Sequence, residues 1–136
     1  MGYYVKIVKS NAYIPAANLQ RAYKKMCALN VTHHSVKRGY RYSGGEKLAF
    51  WFSWMDENYP ETCKDAQAVL EQLGFSTEYN DAGDLLLTGY DNKTGQEELF
   101  LKAIEEDGVG SIVWEGECDE TWTTFFVGGT VIESSQ

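Results

Sequence analysis

The densest run of residues fit for chemistry lies at residues 33–47, where Lys37, Arg38, Arg41 and Lys47 are interleaved with Tyr40 and Tyr42. Cations beside aromatic rings are what a nucleotide or single-stranded nucleic acid meets on its binder: the cations take the phosphates and the rings stack on the bases. In an extended strand Arg38, Tyr40 and Tyr42 share one face, and Lys37, Gly39 and Arg41 the other. The plainer reading of the same residues is an edge strand kept from aggregating by its charges. A net charge of −8 weighs against tight binding to long nucleic acid, because that affinity comes mainly from neutralised phosphates.

The acids permit the opposite chemistry. Glu105, Glu106 and Asp107 are consecutive, and Glu115, Glu117, Asp119 and Glu120 follow closely. Ordered carboxylates can imitate phosphates and occupy a basic groove on a partner. Ordinary solvated charge is the simpler alternative. The two sets are segregated along the chain: residues 1–45 hold eight bases and no acid, while residues 46–136 hold four bases and all 20 acids. Such asymmetry predicts two distinct charged faces, unless the fold interleaves the two halves.

Other chemistries find less support. The only histidines, His33 and His34, are adjacent, so both can bind one metal only in a turn, with Cys27 six residues before His33. No Gly-x-Ser-x-Gly elbow accompanies them. Asp56 and Glu57 follow an apolar run where an acid–base pair can sit, yet they read equally well as a solvated loop in which Asp56 accepts backbone hydrogen bonds. Gly44-Gly45 and Gly128-Gly129 lie between strands and do not open a helix, which argues against a phosphate cradle. No catalytic residue is assigned; were the protein an enzyme, Asp56 and His34 would be the nominees. No metal or other cofactor is expected. Cys27, Cys63 and Cys118 are an odd, widely spaced set, read as reduced thiols.

The elements that must position these groups follow from periodicity and punctuation. A length of 136 residues with 43% hydrophobic content predicts a single domain over residues 1–136 with its own core. A strand is predicted over 3–9 and an amphipathic helix over 15–30, opened by Pro15. A hairpin turns at Gly44-Gly45, its second strand (47–54) apolar enough to be central and buried on both faces. A second helix runs from Tyr59 to a stop at Gly74, and a hairpin follows over 75–90. Thr94 and Glu97 form a capping box that opens a third helix, closed by Gly108. The last hairpin spans 111–127, with a short strand at Val131-Ile132. The predicted fold is therefore α+β: an N-terminal strand, then three helix–hairpin units, with a mainly antiparallel sheet and the helices on one face. Trp51, Trp54, Trp114, Trp122, Phe125 and Phe126 supply core strand faces, though the adjacent Phe125 and Phe126 must point apart.

Trp51-Phe52-Ser53-Trp54-Met55-Asp56, Ala66 and Gly74, Leu101-Lys102-Ala103-Ile104, and the final hairpin with Ser111-Ile112, Glu115-Gly116-Glu117 and Trp122 to Phe126 form a pattern of aromatic and turn placement. In that pattern the chain, from residue 47 to about 133, resembles a widespread group of small, uncharacterised proteins of bacteriophages and their bacterial hosts. Cys118-Asp119-Glu120 replaces the Asp-Gly turn of that group. The resemblance implies a phage setting and no particular chemistry. The expected function is a non-enzymatic protein that binds and inhibits a host or defence protein through an acidic or aromatic surface. The alternative is a nucleotide or single-stranded nucleic-acid binder using the stretch 37–47. A cytoplasmic location in the host cell is expected, with no membrane span, and opposite charges on one chain also allow pairing between copies.

Overall fold

The computed structural model describes residues 3–37, 39–52 and 54–135, with the backbone alone for Arg41, Ser43 and Glu46. It mixes helices and strands, and every described strand pairing is antiparallel. The strands are β1 (Tyr4–Ser10), β2 (Tyr13–Ile14), β3 (Gly39–Ser43), β4 (Glu46–Phe50), β5 (Phe75–Tyr79), β6 (Leu85–Lys93), β7 (Gly110–Gly116), β8 (Thr121–Val127) and β9 (Thr130–Ser135). The helices are α1 (Leu19–Thr32), α2 (Tyr59–Thr62), α3 (Ala66–Leu73) and α4 (Glu97–Ala103), with short 3₁₀ turns at Ala16–Asn18 and His34–Val36.

The main sheet runs β2-β6-β1-β7-β8-β9, with β5 also on β6, and β3–β4 form a separate two-stranded sheet. Alternation in β1 buries Val5 and leaves Lys6 and Val8 exposed. The N-terminal strand lies between β6 and β7, in the middle of the sheet, so early and late segments become neighbours. Helix α1 buries Ala22, Met26 and Leu29 and packs against α3 and α4.

Three expectations need correction. The predicted strand over 47–54 ends at Phe50, and from Lys47 to Phe50 its residues are exposed or half-buried, so it is not a central strand. Trp51, Phe52 and Met55 leave the hairpin and drop into the core, where Trp51 meets Phe100 edge-to-face at 5.5 Å. A two-stranded sheet offers no second layer to cover such a run, whereas a turn delivers these bulky side chains to the helices. Trp54 stacks on Phe52 at 4.3 Å and donates its indole N–H to the Leu73 carbonyl.

The predicted second helix is broken. Cys63 is extended, and Asp65 starts α3 anew by accepting the Ala68 N–H at 2.8 Å. Gly74 stops α3 at φ 125°, as its residue type predicted. The Thr94–Glu97 pair forms, but not as a regular capping box: the Thr94 hydroxyl and the Gly95 N–H both donate to the Glu97 carboxylate, ahead of a helix that ends at Ala103. Glu97 is buried there, and that burial pushes its carboxyl pKa up against the opposing hydrogen bonds. The order of helix and hairpin thus holds in part: the second helix is split, β3–β4 leave the main sheet, and β2 and the full-length β9 are additions.

The core gathers Phe75, Tyr90 and Trp114, whose ring centroids lie 4.9–6.2 Å apart, and the Trp114 indole N–H reaches Thr124 Oγ1 at 3.0 Å. Phe126 is buried, while its neighbour Phe125 is half-buried on the other face of β8.

Candidate functional site

The hairpin β3–β4 turns on two residues, Gly44 and Gly45, both at positive φ, which is the geometry a tight hairpin requires. The register sets Tyr42 opposite Lys47 and Tyr40 opposite Ala49. Directly paired residues share a face, so Tyr40, Tyr42, Lys47 and Ala49 form one surface. Tyr40 and Tyr42 are 55% and 69% exposed and meet edge-to-face at 6.3 Å. The Lys47 ammonium sits 4.0 Å from the centroid of the Tyr40 ring, a cation–π contact that holds it at the face.

This face looks into a cleft at the C-terminal end of α1. The cleft holds about 420 Å³ beside Asn30, His34, Lys37, Lys47, Glu57 and Asn58, and it adjoins a second space of about 310 Å³ reached by Tyr40. Lys37, expected on the face opposite Tyr40, lines the same cleft. The reason is that β3 starts only at Gly39, so strand alternation does not govern Lys37. Its ammonium lies 5.7 Å over the Trp51 ring. Burial pulls the Lys37 pKa below its ordinary value, and the charge of Glu57 opposes that shift. The Asn30 side-chain amide donates to the Glu57 carbonyl, while its Oδ1 is buried without a partner. The cleft therefore offers two ammoniums, an imidazole and an exposed ring, with the Glu57 charge beside Lys37.

Arg38 falls outside the described residues, and Arg41 sits opposite Leu48 in the ladder. Asn30 and Asn58 escaped the sequence reading, because only the packing of the α1 end against the hairpin brings them there. His34 entered it as a weak enzymatic nominee together with Asp56. The Asp56 carboxylate accepts the Asn58 N–H at 2.8 Å, the backbone role that its sequence context also allowed. Among the described residues no group of three or more His, Cys, Asp or Glu is placed to hold a metal ion. Cys27, Cys63 and Cys118 are free thiols, and burial raises the pKa of the first two.

The expected segregation of charge does not hold for Glu106, Asp107 and Glu115, which meet bases of the first 45 residues. Glu105 accepts from Lys102 at 2.9 Å and from the Val131 N–H at 3.0 Å. Glu106 pairs with Lys25 at 3.1 Å. Asp107 is fully buried between Arg21 and Lys25. Glu115 pairs with Lys6 at 3.4 Å. Glu117 takes the Tyr4 N–H at 2.7 Å; Asp119, at φ 65°, and Glu120 stand at the exposed tip of the β7–β8 turn. The physical cause is topological: β1 lies beside β7 and α1 beside α4, so bases of the first 45 residues meet acids of the last third.

No protein-family model, no curated protein and no solved structure matches the chain. No helix among the described residues is long and apolar enough to cross a membrane.

Proposed function

We propose that this protein is a non-catalytic binding protein whose contact site is the β3–β4 hairpin with the cleft at its base, and that its ligand joins a phosphate to an aromatic base. The observation that carries this reading is the convergence of Lys37, Lys47 and Tyr40 on one cleft. The ammoniums serve the phosphate and the tyrosine ring stacks on the base. The cleft volume is in the range of small-molecule sites. A net charge of −8 favours a mononucleotide or a short single strand over a long polyanion.

The test is equilibrium binding of ATP and, separately, of a short oligothymidylate, to the wild type and to a variant carrying Lys37→Ala and Lys47→Ala. The double variant is expected to lose at least about tenfold in affinity, as for two charge-assisted contacts. Equal affinity in the two proteins would overturn the assignment. Binding of ATP alone would make the ligand a nucleotide, and binding of the oligonucleotide alone a single strand.

A second reading, an inhibitor of a host or defence protein in a phage-infected cell, is supported by the outward Tyr40 and Tyr42 as an aromatic contact patch. Helices covering one face of the sheet belong to the same picture and leave the face with Val8 and Ile132 open.

A further inference from the structure

Strand β9 is the last strand of the main sheet, and among the described residues nothing pairs with its outer edge. The Val131 N–H points to that edge, because it donates to the Glu105 carboxylate and not to β8. By the two-residue alternation of a strand, the N–H groups of Glu133 and Ser135 point the same way. No hydrogen bond occupies them among the described residues. Glu105 thus covers the first position of the edge and leaves the rest open.

The inward-facing residues of the same edge border a groove of about 320 Å³ between α4 and β9. Leu99, Leu101 and Val131 give it an apolar wall, and Glu98 and Glu133 stand at its rim. Lys102, the one base there, is engaged by Glu105. Glu98 and Glu133 have no cation within ion-pair distance among the described residues. Partial burial and the charge of Glu98 both push the Glu133 pKa up, the mark of a carboxylate short of a counter-charge.

An open strand edge, an apolar wall and two unbalanced carboxylates call for one occupant. We propose that β9 and the α4–β9 groove dock an extended basic segment of a partner protein. The segment adds as a strand beside Glu133 and Ser135, through main-chain hydrogen bonds. A lysine or arginine of the segment, on the face shared with Glu133, lays its aliphatic stem on Leu99 and Val131 and its charge between Glu98 and Glu133. A second copy of this chain fits the edge poorly. Two-fold antiparallel pairing of β9 with itself sets the two Glu133 carboxylates near each other, and like charges across strands are destabilising. The proposal is independent of the hairpin cleft.

The test uses a synthetic alternating Thr/Val/Lys hexapeptide, blocked at both ends, and its counterpart with glutamate for lysine. Binding is read by backbone amide shifts. The lysine peptide is expected to move residues 98–102 and 131–135, and the variant with Glu98→Gln and Glu133→Gln to weaken it by at least about fivefold. N-methylation of alternate peptide bonds on the pairing edge is expected to abolish binding, which separates strand addition from simple charge attraction. Equal binding of the glutamate peptide, indifference to N-methylation, or unchanged affinity in the double glutamine variant would each overturn the proposal. Lys37→Ala with Lys47→Ala is expected to leave this binding intact; a parallel loss would also count against a separate site.

Discussion

Asp107 offers a quantitative test of the charge interleaving. Its carboxylate is 0% exposed, while its partners Arg21 and Lys25 retain 57% and 29% of their side-chain surface. Replacing the acid by Asp107→Asn keeps the shape and one acceptor but removes the charge. Breaking a buried ion pair typically costs about 3–5 kcal/mol, mostly because the orphaned partner stays desolvated. Here both cations can turn to water, so the residual cost is that of charge-assisted hydrogen bonds made neutral, about 2 kcal/mol. For a domain of this size that lowers Tm by about 8 °C. Urea denaturation gives the free energy directly, and an unchanged slope with a lowered midpoint would show that stability and not compactness changed. Glu106→Gln serves as the contrast. That carboxylate is 68% exposed in its pair with Lys25, and its loss is expected to cost less than about 0.5 kcal/mol. If Asp107→Asn were as mild as Glu106→Gln, Asp107 would not staple α1 to the segment after α4, and the account of why Asp107 is not free for a partner would fail.

Two further predictions concern other elements. The Glu97 carboxyl has its pKa raised by burial from the ordinary 4.5, so the folded chain holds a proton that the unfolded chain has already released. Stability from this group is greatest in acid and falls as pH rises from the ordinary carboxylate range through the raised folded value. Glu97→Gln keeps an acceptor for the Gly95 N–H. Its stability relative to wild type should therefore climb between mildly acidic and neutral pH in parallel melts; a difference flat with pH would contradict the shift. Asp65→Ala removes the carboxylate that accepts the Ala68 N–H and is expected to cost about 1 kcal/mol in urea denaturation, with Asp65→Asn recovering most of it.

Local signals were the legible part of this chain. Alternation in residues 4–10, the apolar spacing of Ala22, Met26 and Leu29, and the glycines at 44–45 and 74 each state a backbone geometry within a few residues. What escaped depends on distant partners. Trp51 and Phe52 carry strong strand propensity, but core volume around Phe100 takes them out of the strand. Asp65 does carry a cap signal, three residues before Ala68, but the continuous apolar spacing from Cys63 to Leu73 masks it. The length of β9 was hidden because Glu133-Ser134-Ser135 has no apolar alternation; pairing with β8 extends it. At the site, the shared face of Tyr40 and Tyr42 follows from alternation alone. The presence of Asn30, His34 and Lys37 at the same cleft follows from the end of α1 meeting the hairpin, and charge order along the chain says nothing of which bases meet which acids.

The most direct measurement is a two-dimensional ¹H–¹⁵N titration of the labelled protein with ATP and with a short oligothymidylate. The cleft assignment predicts saturable shifts confined to the amides of residues 30–37, 39–49 and 57–58, and their disappearance in the variant with Lys37→Ala and Lys47→Ala. Saturable shifts elsewhere on the molecule, or none with either ligand at millimolar concentration, would contradict it.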